Sequence, residues 1–217
     1  MDGLKQSLLG LCGIVEEQIE SAVRAVVDRD ATLADNVEAN DNLIDQREVE
    51  IEEECLKILA LYQPVAVDLR FIVAALKINN DLERMGDLAV NIAHKARALC
   101  EVPNFAVPFD LEGMWSKVRA MLRDALDCLV NTDAQLAREV CRRDEEVNEL
   151  KHSIRRRAEQ MMAESPELVV PLFKVVAIAR NLERLADLST NIAEDVIYMV
   201  EGQIARHRHA PDPESSE

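Results

Sequence analysis

NDLERMGDLAVNIA, residues 80–93, returns as RNLERLADLSTNIA at residues 180–193. Eight of the fourteen positions are identical, among them a Glu and an Asp four residues apart, Glu83/Asp87 and Glu183/Asp187. Aliphatic residues recur around these acids at helical spacing, so each copy predicts one amphipathic helix. The likeness extends outward. DRDATLADNVEANDNLID at 28–45 matches NTDAQLAREVCRRDEEVN at 131–148 at an offset of 103. Through the last pair of helices the offset is 100, because the turn in the first half is three residues longer. The economical reading is a three-helix unit written twice, a duplication and not a solenoid array.

Punctuation divides the chain into six predicted helices, over 4–27, 31–61, 67–100, 111–130, 134–162 and 168–204. Asp30 is positioned to cap the second, and Pro64 stops it. VPNFAVPFD, with two prolines, is the clearest boundary. These signals predict an all-α molecule of two tandem three-helix bundles, residues 1–103 and 108–205, followed by a flexible tail at 206–217. Short turns make neighbouring helices antiparallel. A helix of 34 residues is about 51 Å long, so an elongated molecule is expected.

Composition narrows the function. Aromatics are 3% of the chain and glycines number six, which favours helices packed on helices. No apolar run approaches the roughly 18–20 residues of a membrane span, so membrane insertion is not expected. The N-terminus has no signal-peptide pattern, and the cytoplasm is the expected location. Five cysteines without a C-x-x-C pair read as reduced thiols. The formal charge of −16 opposes direct contact with nucleic acid or an anionic membrane and favours cations and basic protein surfaces.

The helical phase of residues 67–100 places Glu83 and Asp87 on the stripe that carries Ile72, Leu76 and Val90. Glu183 and Asp187 repeat this beside Leu172, Val176 and Ala179. The second helix adds Asp41, Asp45, Glu48 and Glu52, all on one face. Taken alone, that row reads as a solvated face. Facing the third helix across a tight turn, it becomes part of a set of four to six converging carboxylates. Such a set needs a cation, or some of its members take up protons. Oxygen-only ligands suit Mg, Ca or Mn, and carboxylates on facing helices also build di-iron sites. The competing reading is a metal-free network satisfied by Asn and Arg.

The halves are unequal. Opposite Asp41, Asp45, Glu48 and Glu52 stand Asp144, Asn148, Lys151 and Arg155. If both halves bind metal, the first is expected to bind it more strongly. Other signals are bland. The single E-x-x-H at Glu149 and His152 faces away from the predicted core, and a di-iron bundle needs two. His207 and His209 fall in the expected tail, Trp115 reads as a packing residue, and Arg155, Arg156 and Arg157 as a solvated basic face. No nucleophile–base pair, phosphate-cradling loop or nucleotide fingerprint is evident, so an enzyme is not expected. Gly86 and Ala186 read as small residues that allow close approach.

LERMGDLAVNIA at 82–93 and LERLADLSTNIA at 182–193 resemble the PhoU family, as do QPVAVDLRFIVAALKI at 63–78 and NDNLIDQREVEIEEECLKIL at 40–59. The likeness covers nearly the whole chain. It implies a cytoplasmic protein of two three-helix bundles that represses phosphate uptake and the phosphate-starvation response. The implied partners are the phosphate transporter's ATPase and a sensor histidine kinase, with a homodimer compatible with the long helices. It also implies metal ions (iron, zinc, manganese or magnesium) on E(D)-x-x-x-D motifs. These map to Asp41/Asp45, Glu83/Asp87 and Glu183/Asp187; Glu48 extends the first acidic row. The fourth motif is broken, with Asp144 present and Asn148 in place of the second acid, and Ala186 replaces Gly86. The rivals are a carboxylate-bridged, di-iron-like metalloenzyme and a metal-free helical scaffold.

Overall fold

A computed structural model describes residues 2–202. Six long helices dominate: α1 (Asp2–Val27), α2 (Ala31–Tyr62), α3 (Val67–Cys100), α4 (Leu111–Asn131), α5 (Ala134–Glu164) and α6 (Val169–Glu201). A 3-10 turn, Pro166–Leu168, precedes α6, and no strand occurs among the described residues. The expected tail at 206–217, with His207 and His209, lies outside them, as do the last residues expected of the second bundle.

Aspartates start three of the helices. Asp30 accepts from the Leu33 amide at 3.0 Å, Asp110 from Gly113 at 2.7 Å, and Asp133 from Gln135 and Leu136 at 2.9 and 3.0 Å. Each satisfies amides that the first helical turn leaves without partners. The last helix departs from the sequence reading at both ends. Pro166 tightens its entry into a 3-10 turn, and Gly202, at φ 67°, ends it in the left-handed conformation that suits glycine.

Leu4, Leu8, Leu11, Val15 and Ile19 of α1 are fully buried at i, i+3 and i+4 spacing. This stripe closes the first bundle against α2 and α3, and α4–α6 close the second in the same way. The bundles lie side by side. α3 runs antiparallel to α6: Lys77 pairs with Asp195 at 2.9 Å, and Arg70 Nε donates to the Met199 carbonyl at 3.0 Å. α1 meets α4 through Glu16, which pairs with Arg119 and, at 2.5 Å, with Arg123; Arg119 also reaches Glu20 at 2.7 Å. Glu16 and Arg119 are equivalent positions of the two copies, as are Glu20 and Arg123. Identical copies would set like charges against each other here; opposite charges let the halves dock. The four helices α1, α3, α4 and α6 form the middle, with α2 and α5 on the outer flanks. No helix among the described residues is long and apolar enough to cross a membrane.

Gly86 lets α2 approach α3. A Cβ there would lie 2.8 Å from Ile44 Cδ1 and 3.2 Å from Ile44 Cγ2. The second copy has Val147 and Ala186 at these positions, both fully buried, so a methylene lost on one helix is matched by a carbon gained on the other. Gly86→Ala gains about 1 kcal/mol of helix propensity but overpacks the seam by roughly 1–3 kcal/mol. The expected result is a net loss of about 1 kcal/mol. In an Ile44→Val background the same change should be neutral or stabilising, a coupling read from urea unfolding of the four variants. Simple additivity would refute the steric account.

Candidate metal centre

The seam between α2 and α3 gathers the acids of the first copy. The buried stripe of α2, with Ala34, Val37, Ile44, Ile51 and Cys55, faces the core. Asp41 and Glu48 flank it half-buried, while Asp45 and Glu52 are exposed; across the seam, Glu83 is half-buried and Asp87 is exposed. Burial raises the pKa of Asp41, Glu48 and Glu83 above the usual carboxylate range, and neighbouring acids raise each further. For Asp41 the neighbours are Asp45 and Asp87; for Glu48, Glu52 and Asp45; for Glu83, Asp87, Asp45, Glu48 and Asp41. The six acids thus form one connected, mutually repelling set. Among the described residues none of the six has a Lys, Arg or His partner within 4.0 Å. Neutral amides supply what order there is. Gln18 Nε2 donates to Asp41 Oδ1 at 3.5 Å, and the buried Asn79 Nδ2 to Glu48 Oε1 at 3.2 Å and to the Glu48 carbonyl at 2.8 Å.

The sequence phase set Glu83 and Asp87 deep in the apolar stripe, and the structure corrects this. Asp87 and Asp187 are exposed at the rim, with Glu83 and Glu183 half-buried behind them. The buried acids of α3 and α6 are instead Asp81 and Asp195, which the sequence reading missed. Both face the junction of the bundles, Asp81 beside Arg84 at 3.4 Å and Asp195 beside Lys77.

The α5–α6 seam is built differently. Lys151, which replaces Glu48, donates to Glu183 Oε1 at 2.7 Å and to Asn148 Oδ1 at 2.6 Å. Arg155, which replaces Glu52, is turned to Glu159 at 2.8 Å along its own helix. Asp144 keeps one buried oxygen, Oδ1, without a hydrogen-bond partner. Burial, then Asp187, Glu183 and Glu145, push its pKa up to about 6, against a lowering by Lys151. At the rim, the partial loss of solvent around its carboxylate and then Glu183 raise the pKa of Asp187, while Lys151 and Arg184 act to lower it.

Among the described residues no three Asp, Glu, His or Cys side chains converge closely enough to hold an ion as they stand. The first seam offers a hard cation only oxygen ligands, from six carboxylates that, among the described residues, have no Lys, Arg or His within 4.0 Å. The second does not, since Lys151 already occupies its acidic face. Both seams reach one cleft of about 450 Å³ between α3 and α6, lined by Asp87, Asp187, Arg84, Arg184, Asn91 and Asn191.

Asp144 gives a signed prediction. Its folded pKa lies above the unfolded value of about 3.8, so the folded chain holds this proton more tightly. The associated stability is present below pH 4 and is lost as the pH climbs through about 6. Asp144→Asn removes the loss. It should leave stability unchanged at low pH and raise it at pH 8 by about 1–2 kcal/mol, after discounting for the solvent that reaches the seam. Urea unfolding at both pH values checks this; equal stability of the two proteins at pH 8 would contradict it.

The remaining sequence signals are structural. Glu149 and His152 are exposed, Trp115 is buried in the core, and Arg155, Arg156 and Arg157 face solvent. All five cysteines are free. Burial pushes Cys12 and Cys128 up to about 12, and Cys55 and Cys141 to about 11, leaving poor nucleophiles and poor metal ligands.

Comparisons with known proteins agree with one another. The family model described as PhoU domain matches residues 8–96 and again 111–196. The PhoU homolog of Pseudomonas aeruginosa, named a phosphate-specific transport system accessory protein, is 39% identical over 209 residues, covering 95% of this chain and 86% of that protein. The Aquifex aeolicus protein of the same name is 36% identical over 209 residues, covering 96% and 95%. The crystal structure of PhoU from P. aeruginosa superposes with a TM-score of 0.87 at 38% identity, covering 93% of this chain and 97% of that one. PhoU from Streptococcus pneumoniae, a phosphate transport system regulatory protein, gives 0.87 at 29%, covering 94% and 96%.

Proposed function

From the premise that the chain belongs to the PhoU family, we propose that it is a cytoplasmic, non-enzymatic regulator. It represses phosphate uptake and the phosphate-starvation response by binding the phosphate transporter's ATPase and a sensor histidine kinase. The observation that carries this reading is the family match in both halves, over nearly the whole chain. The relatives' names supply the transport system; the acidic surface supplies a reason for acting through proteins rather than DNA.

The proposal includes a metal site in the first bundle. Asp41, Asp45, Glu48, Glu83 and Asp87 are the residues that would hold a hard divalent or ferric ion. Such an ion supplies the counter-charge that the seam lacks and ties α2 to α3. Asn79 holds the Glu48 carboxylate in the seam, and Gln18 does the same for Asp41. Gly86 lets α2 lie close against α3 beside Asp41, the approach that an ion shared by both rows would need.

The test is capture of each partner by the full chain, with and without Mn2+. Retention of the transporter ATPase and of the kinase is expected, at submicromolar concentration and weakened by salt. Failure to retain either partner under both conditions would overturn the adaptor reading.

A further inference from the structure

The two acidic seams descend from one pattern but differ in where their positive charge comes from. Among the described residues none of the first seam's acids has a basic partner within 4.0 Å, and the Asn79 amide reaches across from α3 to the Glu48 carboxylate at 3.2 Å. In the second, position 48 has become Lys151 and position 79 has become Ala179. The Lys151 ammonium is half-buried, 2.7 Å from Glu183 Oε1 and 2.6 Å from Asn148 Oδ1. Asn148 replaces the acid Asp45 of the first copy, so its neutral oxygen accepts from the ammonium without adding charge. The exchanges act together: one acid becomes the cation, a second becomes its neutral acceptor, and the Asn that ordered Glu48 is gone.

We propose that Lys151 is a tethered cation that stands in for the metal in the second seam, so that the chain takes up metal through its first bundle alone. An ammonium within hydrogen-bond reach of Glu183 removes much of the field that would draw a divalent ion. It also blocks the carboxylate oxygen such an ion would use. Expelling it would cost the Glu183 pair and leave a lysine charge beside the incoming metal. The charge of Glu183 in the second seam is thereby permanently paired, while the first seam depends on the cation supply. The inference rests on the metal reading proposed above, and it narrows that reading to one half of a duplicated molecule.

The test counts bound Mn2+ on the full chain after chelation and dialysis, by calorimetric titration and by the electron paramagnetic resonance signal. Binding assigned to the first seam is expected for the natural sequence and absent from Asp41→Asn/Asp87→Asn. Adding Asn148→Asp/Lys151→Glu to that disabled protein should restore binding in the second seam. A separate Lys151→Met change in the disabled background should lower the melting temperature, and millimolar Mn2+ should recover it. The Lys151-bearing parent should be unmoved by the same Mn2+. Unchanged far-UV circular dichroism shows that a non-binding variant is folded.

Mn2+ retained by the disabled protein with Lys151 in place would overturn the inference. So would a folded Asn148→Asp/Lys151→Glu variant that gains no Mn2+. A natural chain that binds none, alongside a second-seam variant that does, would instead defeat the first-seam reading and uphold the role of Lys151.

Discussion

Arg29→Met should destabilise the protein by about 3 kcal/mol, lowering the melting temperature by roughly 6–12 °C. Arg29 occupies the α1–α2 turn at φ 56° and sends its guanidinium across the bundle to the linker between the two halves. It donates to the carbonyls of Leu99 at 2.8 Å, Cys100 at 3.1 Å, Val102 at 2.5 Å and Phe105 at 2.5 Å. The Leu99 carbonyl also accepts from the Val102 amide at 3.1 Å, but those of Cys100, Val102 and Phe105 belong to the end of α3 and the Pro-containing segment after it, where no helix continues to satisfy them. Losing the donor strands several partly buried acceptors at once. Arg29→Lys should recover less than half of the loss, because one ammonium cannot span the fork that reaches four oxygens. Full recovery by Lys would show that the positive charge, and not the planar donor array, holds the linker.

The second large effect is on the first acidic seam and has two opposite signs. Asp41→Asn/Asp87→Asn removes two of six repelling carboxylates, so the metal-free variant should be more stable than the natural chain at neutral pH. The sign follows from Asp41 and Glu83, which burial and like charges raise above the usual carboxylate range. Such groups stabilise the fold only where they are protonated, and that stability is lost as the pH rises through their folded pKa. With Mn2+ the order should reverse. An ion at about 100 times its Kd adds about 2.7 kcal/mol to the natural chain, roughly 5–11 °C, and nothing to the variant. Thermal melts with and without Mn2+ read both effects. A variant that keeps the metal-induced shift would remove Asp41 and Asp87 from the site.

Much of the fold was legible. Residues 67–100 were bounded by Pro64 on one side and VPNFAVPFD on the other, and α3 occupies that span. Asp30 announced the start of α2. Glu164-Ser165-Pro166 marked the break before α6; less legible were the 3-10 turn that Pro166 makes at its entry and Gly202, whose left-handed conformation ends that helix earlier than its apolar pattern suggested. Both are local features that a reading of the sequence weighted toward periodicity passes over.

The site was legible as residue types and less so as positions. Phase analysis assigned α3 one inner face, and on that basis placed Asp87 inside. In the structure α3 is buried on two sides, against α1 and α2 and against α6. The second contact buries Asp81 and draws Lys77 onto Asp195, while the acids of the repeated motif lie between the two contacts at the rim. No spacing rule reveals a second buried face when both are aliphatic.

The sequence alone determined that a three-helix unit is repeated, that acids recur four residues apart on its third helix, and that the second copy has exchanged three facing acids for Asn, Lys and Arg. Those facts follow from periodicity and from position-by-position substitution, which need no coordinates. Tertiary structure decided the rest. It set the bundles side by side with α3 against α6, carried Arg29 to the linker, and turned Arg155 away to Glu159 while Lys151 reached Glu183. Side chains four residues apart on one helix face can take different partners, and only the position of the neighbouring helix decides which cation enters the acidic seam.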